Sequence, residues 1–266
     1  IGKNAQILLS AGHGYFHKSA QSIQGNVRGK KMNFFASYAN SNNKGFNDLR
    51  LYRKFYSVGV LEGAYNQSNY LRFPSFNHTV KTGFDYTVRQ NIQIGCMLHG
   101  SFTSFTPNST NKSLVENGMG MATSYYASTS MSKEKYTNYS ANFNGKKTLD
   151  TLGSELSLDM DYANYTNTGD QRFDTRYFTM NNIEFLSPYL LQSAILGGLD
   201  IKAGKIDYVK VVSSKRRIEF GLKSSLVHAD NNLSYYDVSN VLPIFDSNQS
   251  NHFLYTEQIH AAYANS

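Results

Sequence analysis

From Thr79 to Leu98 the chain reads TVKTGFDYTVRQNIQIGCML, and hydrophobic and polar positions alternate almost without fault. Val80, Thr82, Phe84, Tyr86 and Val88 fall on one side of an extended chain, with Lys81, Gly83, Asp85 and Thr87 on the other. After Arg89-Gln90-Asn91 the pattern restarts, setting Ile92, Ile94, Cys96 and Leu98 against Gln93, Gly95, Met97 and His99. Period-two alternation on both sides of a short polar break predicts a β-hairpin. The same reading predicts strands near residues 4–12, 18–28, 32–40, 76–88, 91–105, 136–147, 154–165, 196–209, 217–229 and 252–264. Leu156, Leu158, Met160 and Tyr162 stand opposite Ser157, Asp159 and Asp161. Ile218, Phe220, Leu222, Ser224 and Leu226 stand opposite Glu219, Gly221, Lys223 and Ser225, and Ile259, Ala261 and Tyr263 oppose His260, Ala262 and Ala264. No segment makes a long amphipathic helix.

The connections carry as much information as the strands. Tight breaks fall around residues 30, 90, 151 and 213, and repeated short connections of this kind mark one end of a barrel. The alternate connections, 41–75, 106–135, 166–195 and 230–251, are long and rich in Asn, Ser, Thr, Tyr and Gly, apart from the brief Gly12–His17 bend. Part of each is expected to continue as strand beyond the main sheet. A soluble sandwich uses strands of about five or six residues with varied connections at both ends. Here the alternating runs reach the roughly nine to eleven residues that a tilted strand needs to cross a bilayer. Hydrocarbon offers no partner to backbone N–H and C=O, so a membrane sheet must close on itself. The expected fold is all-β: an antiparallel meander forming part of a transmembrane β-barrel. It should have about ten crossing strands, short periplasmic turns and long extracellular loops.

Composition agrees. Of 266 residues only 17% are charged and 40% are hydrophobic, yet mean hydropathy is -0.45. The polarity comes from amide and hydroxyl side chains, as it does when apolar groups face lipid and polar ones a lumen. Tyr (20) and Phe (17) are abundant and Trp is absent. One cysteine, Cys96, excludes an internal disulfide framework and a Cys-based zinc site. No apolar run of about 18 residues predicts a transmembrane helix. The formal charge of +7 sits in short breaks, at Arg28/Lys30/Lys31, Arg89, Lys146/Lys147, and Lys210 with Lys215/Arg216/Arg217. No single basic stripe with interleaved aromatics appears, so nucleic acid is not an expected partner. The start at Ile1-Gly2-Lys3 and the stop within an alternating segment lead to the expectation of one barrel domain, 1–266, cut from a longer polypeptide.

Several stretches carry a family resemblance. Gly12-His13-Gly14-Tyr15-Phe16-His17-Lys18, then Arg28-Gly29-Lys30-Lys31-Met32-Asn33-Phe34-Phe35, resembles the barrel of Bacteroidetes-type outer-membrane proteins of the TonB-dependent receptor superfamily. Gly83-Phe84-Asp85-Tyr86, the run from Asp150 to Tyr162, Gly221-Leu222-Lys223-Ser224-Ser225, and Ser250–Tyr255 followed by Ala261-Ala262-Tyr263 continue the likeness in order. The resemblance implies a 22-stranded outer-membrane barrel around an N-terminal plug, energised through TonB and admitting a scarce solute such as a metal chelate, oligosaccharide or peptide. Its implied partners are outer-membrane lipid, the plug and remaining barrel strands of the parent chain, and the TonB system. Nothing in this chain resembles the plug. Two other functions fit an all-β chain: a non-transporting surface adhesin or scaffold barrel, and a soluble carbohydrate-binding module.

Candidate chemistry follows from the faces. Val80, Phe84, Tyr86, Ile92, Ile94, Leu156, Leu158, Ile218, Phe220 and Leu222 are expected to face lipid. Lys81, Asp85, Asp159, Asp161, Glu219 and Lys223 are expected to line the lumen as ion pairs or as a solute path. Asp159 and Asp161 share a face, but their neighbours fit a structural ladder better than acid–base work. Seven dispersed histidines lack carboxylates at ligand spacing, although His13 and His17 can meet across a bend. No metal, cofactor or enzymatic activity is expected. Tyr86, Phe102, Tyr139, Phe143, Tyr162, Tyr208, Phe220 and Tyr263 suit the aromatic girdles at the membrane interfaces, and the basic turns suit anionic head groups. Tyr125-Tyr126 and Tyr235-Tyr236 are expected in loops.

Overall fold

A computed structural model describes residues 1–213 and 216–266; Lys215, in the basic group near residue 213, lies outside the described residues. Eleven strands follow one another: β1 (Gly2–His13), β2 (His17–Arg28), β3 (Met32–Ser57), β4 (Val60–Arg89), β5 (Ile92–Phe105), β6 (Asn108–Asn117), β7 (Ala122–Thr148), β8 (Glu155–Thr179), β9 (Glu184–Ser213), β10 (Arg216–Asp237) and β11 (Ile244–Asn265). Described residues include no helix. All strands pair antiparallel in one sheet, in sequence order from β1 to β11, with β1 and β11 as its two edges.

β5 and β6 occupy a single position between β4 and β7. β4 pairs with β5 through Ser75–Arg89 and with β6 through Gly63–Arg72. β7 likewise pairs first with β6 and then with β5. Pro107, which has no N–H to give, interrupts the strand, yet its carbonyl still accepts from Ser132 N at 2.9 Å, and Thr106 N donates to Pro74 at 3.1 Å. The register therefore continues through the break, and the chain makes ten passes.

The long polar connections are mostly strand. β3 and β4 run for 26 and 30 residues and meet at a two-residue turn, Val58-Gly59. Both turn residues have positive φ, 48° and 79°, the type I′ geometry whose twist matches the flanking strands. Tyr125, Tyr126, Tyr235 and Tyr236 consequently lie in strands rather than loops. Asn, Ser and Thr mislead here because they read as turn formers, although a ladder of backbone bonds satisfies the chain whichever side chains it carries.

The described residues form no closed core. Among the described residues the buried hydrophobic side chains are Ala64, Leu191 and Ala229. The accessible surface is 17748 Å², whereas a folded soluble protein of 29.9 kDa exposes about 11,700 Å². Cohesion comes from the hydrogen-bond ladders and from cross-strand packing. On one face an aromatic ring lies over the glycine directly opposite it: Phe35 over Gly83, Phe73 over Gly45, Tyr263 over Gly221. A Cβ at any of those glycines would collide with the ring.

Candidate functional site

Side chains of directly paired residues share a face, so the register sorts the whole sheet into two faces. One row runs Val27, Phe34, Phe84, Cys96, Phe143, Met160, Gly204 across β2 to β9. The next row toward the tight turns runs Met32, Tyr86, Ile94, Gly145, Leu158, Ile206, Leu222. Another holds Ile7, Ile23, Tyr38, Val80 and, on β7, Tyr139. Together they form an apolar belt. All ten residues expected to face lipid lie on this face, Leu156, Ile218, Phe220 and Ile92 included. These side chains are open to the surroundings: Leu98 is 52% exposed and Leu222 61%.

The belt is oblique to the pairing. On β1 it comprises Ala5, Ile7 and Leu9, whose rows reach β10 at Leu226, His228 and Asp230. On β10 the apolar run is Ile218 to Leu226 instead. A belt that slides along successive strands is the mark of strands tilted against the belt plane.

The opposite face is polar, and it carries Lys81, Asp85, Asp159, Asp161, Glu219 and Lys223. One row runs Arg28, Asn33, Asp85, Gly95, Asn144, Asp159, Lys205, Lys223. Amides link it: Asn26 donates to Asn33 at 2.6 Å and Asn33 to Asp85 at 3.1 Å. Asn144 donates to Asn142 at 2.9 Å, and Asn142 to Asp161 at 2.7 Å. A recess of about 360 Å³ opens beside Arg28, Lys30, Lys31, Asp85, Asn144 and Lys146.

Several expected partnerships give way to others. Lys81 lies over the Phe35 ring rather than against Asp85. Glu219 pairs with Arg217 at 2.7 Å rather than with Lys223. Lys205 pairs with Asp207, two residues along its own strand, at 2.7 Å rather than with Asp159 opposite it. Residues two apart on one strand share a face at about 6.6 Å, within the reach of a long cationic side chain, so same-strand pairs compete with directly opposite ones. Tyr263 is a correction to the girdle: it lies on the polar face, where its hydroxyl donates to Asp207. His260, Ala262 and Ala264 occupy the belt face instead, because pairing with β10 and not hydrophobicity sets the register of β11. His13 and His17 do pair across the bend, and the described residues contain no His/Cys/Asp/Glu group able to hold a metal ion.

The tight-turn end is pinned at residues 149–154. Asp150 accepts from Leu152 N and Ser154 N, each at 3.0 Å, and meets Lys210 Nζ at 2.9 Å. Ser154, fully buried, accepts from Val211 N at 3.0 Å. Hydrogen bonds from Lys210 and Ser154 hold the Asp150 carboxyl well below the usual carboxylate range. Thus two of the basic side chains at this end, Lys210 and Lys146 (paired with Glu155), are held by carboxylates of the sheet.

Beyond the belt the two faces exchange character, a feature absent from the reading by segments. On β3, β4, β6, β7 and β8 the belt face continues as Lys44, Arg50, Lys54, Arg72, Lys112, Lys133, Lys135, Arg172 and Arg176, with Asp48, Glu116, Asp170 and Asp174. The opposite face at those heights carries Leu49, Leu51, Phe55, Tyr65, Leu71, Phe73, Tyr126, Phe173 and Tyr177, with Arg53 and Glu134 as its charges. Rings run in sequence there, Phe55 to Tyr65 at 5.0 Å, Tyr65 to Tyr126 at 6.1 Å and Tyr126 to Tyr177 at 6.4 Å. Part of the signal was legible in FNDLRLYRKF, Phe46–Phe55, where Leu49, Leu51 and Phe55 alternate with Asp48, Arg50 and Lys54.

An exposed apolar belt on tilted antiparallel strands, backed by a polar face, defines the wall of a membrane β-barrel. Residues 147–266 match the model of a family described as "Outer membrane protein beta-barrel family". The chain is accordingly an outer-membrane β-barrel protein of a bacterium, which removes the soluble carbohydrate-binding alternative. No curated protein and no solved structure matches it significantly.

Proposed function

We infer that the chain supplies barrel wall to a TonB-dependent receptor-like protein that takes up a scarce solute. The continuous polar row from Arg28 to Lys223 carries this reading: ten passes, with β1 and β11 unpaired to each other, already exceed the roughly eight strands that close on a side-chain-filled core. A wall that wide encloses a lumen, and Lys81, Asp85, Asp159, Asp161, Glu219 and Lys223 line the path through it. The belt residues face hydrocarbon. Because hydrocarbon leaves no backbone group unpaired, the edges at β1 and β11 call for further strands. A plug fills the resulting bore and TonB releases it. The recess beside Arg28, Lys30 and Lys31 gives that plug a cationic seat at the tight-turn rim.

Deletion of the gene in its own bacterium tests the reading. Uptake of labelled metal chelates, oligosaccharides and peptides is compared with the parent strain, with and without the energising inner-membrane complex. One solute class should lose uptake in both deletions, while surface binding survives loss of the energising complex. Undiminished uptake of all three classes refutes transport. The projecting strands, with their charged exterior, favour the second reading, a surface adhesin or scaffold, in that event.

A further inference from the structure

Where β5 gives way to β6, the belt face holds a recess of about 550 Å³ just above the apolar belt. Arg72 on β4 lines one side, and Lys133 on β7 and Arg172 on β8 line the other. The start of β6, Asn108 to Thr110, forms its floor, directly after the Thr106-Pro107 break. Asp170 and Asp174 also line it, but both are engaged: Asp170 accepts from Gln192 at 2.7 Å, and Asp174 binds Arg176 at 3.1 Å. Among the described residues neither Lys133 nor Arg172 joins an ion pair, and Arg72 spends only its Nε, on Asn108 at 3.0 Å. Three cations therefore point at one opening with most of their donors free.

Height decides what they meet. On β4 the last apolar belt group below Arg72 is Phe76, four residues away along the strand, while Phe46 opposite Arg72 and Tyr70 beyond it set rings at the level of the cations. That separation is about 13 Å along the strand, or about 10 Å along the membrane normal at a ~40° tilt. Long cationic side chains reach back several ångströms toward the interface. With the tight turns on the periplasmic side, this level lies among the head groups of the outer leaflet. Opposite-face residues at the same height are almost uncharged, so the cations serve the outside of the wall and not the lumen.

We propose that Arg72, Lys133 and Arg172 bind the phosphate groups of a phosphorylated saccharide head group on an outer-leaflet lipid. Guanidinium forks at two corners match phosphate geometry, and the lysine adds a mobile third charge. This goes beyond solute uptake and rests on a barrel in the outer membrane with its tight turns on the periplasmic side.

The test is native mass spectrometry of the full-length protein in mild detergent, titrated with a bisphosphorylated glycolipid, the same lipid stripped of phosphate, and free pyrophosphate. Wild type should retain the phosphorylated lipid at least tenfold better than the stripped one. The variant R72Q/K133Q/R172Q should lose at least tenfold, and D170N/D174N should gain severalfold. K54Q/K112Q, farther up the same face, should match wild type. Equal retention of both lipids overturns the proposal, as does a triple variant that keeps the barrel's gel mobility and still holds the lipid. Pyrophosphate that binds as tightly as the lipid also overturns it, in favour of a site for a soluble anion. If the triple variant does not fold, unchanged retention by D170N/D174N overturns it alone.

Discussion

A charge placed on the belt face should cost what hydrocarbon exacts for it, and the cost should follow depth. From Ile92 to Phe102 β5 rises about 33 Å, which a ~40° tilt projects to about 25 Å, the height of an outer-membrane apolar band. Leu98 stands about 15 Å above Ile92 and about 10 Å below Phe102 on that projection. Its paired neighbours, Thr82 and Ala141, offer no counter-charge. Leu98→Arg should therefore destabilise the barrel by about 2–4 kcal/mol, and Ile92→Arg at the rim by about 0–1. Ser101→Arg, three residues along but on the polar face, should stay within about 0.5 kcal/mol. The assay is guanidinium unfolding of the full-length protein in lipid vesicles, read by the shift of the folded barrel on unheated gels. A Leu98→Arg barrel within 0.5 kcal/mol of wild type, or Ser101→Arg as the costlier change, would refute the two-face assignment.

Other perturbations probe the rest of the wall. Gly83→Val puts a Cβ into the Phe35 ring and the Cys96 carbonyl, and should cost about 1–3 kcal/mol; Gly204→Val, with open space on the belt face, should be neutral in the same titration. Val58→Asn replaces a β-branched residue at φ 48° with the residue type I′ turns favour, and should raise the unfolding midpoint by the equivalent of about 0.5–1 kcal/mol. Depression of the Asp150 carboxyl means its contribution is complete above the unfolded carboxylate value near ~3.9 and is lost as pH falls below it toward the folded value. Amide exchange at Leu152 and Ser154 should accordingly speed up in Asp150→Asn at neutral pH, and the gap to wild type should close under acid; a gap independent of pH contradicts the linkage.

The alternation in TVKTGFDYTVRQNIQIGCML determined strand, hairpin and the membership of each face, because a period of two leaves a strand no other way to arrange its side chains. The same alternation sets the ten belt residues on one face of the sheet and the six polar ones on the other. Three things needed the folded sheet. Tyr263 went to the polar face because β10 dictates the register of β11, and its ring fills the space above Gly221. The residues around Ser41-Asn42-Asn43 became strand because backbone pairing is indifferent to the Ser and Asn that suggested a connection. The recess of Arg72, Lys133 and Arg172 draws on three strands far apart in sequence, and only lateral register brings them level. Periodicity is a property of one strand; height and neighbourhood belong to the sheet.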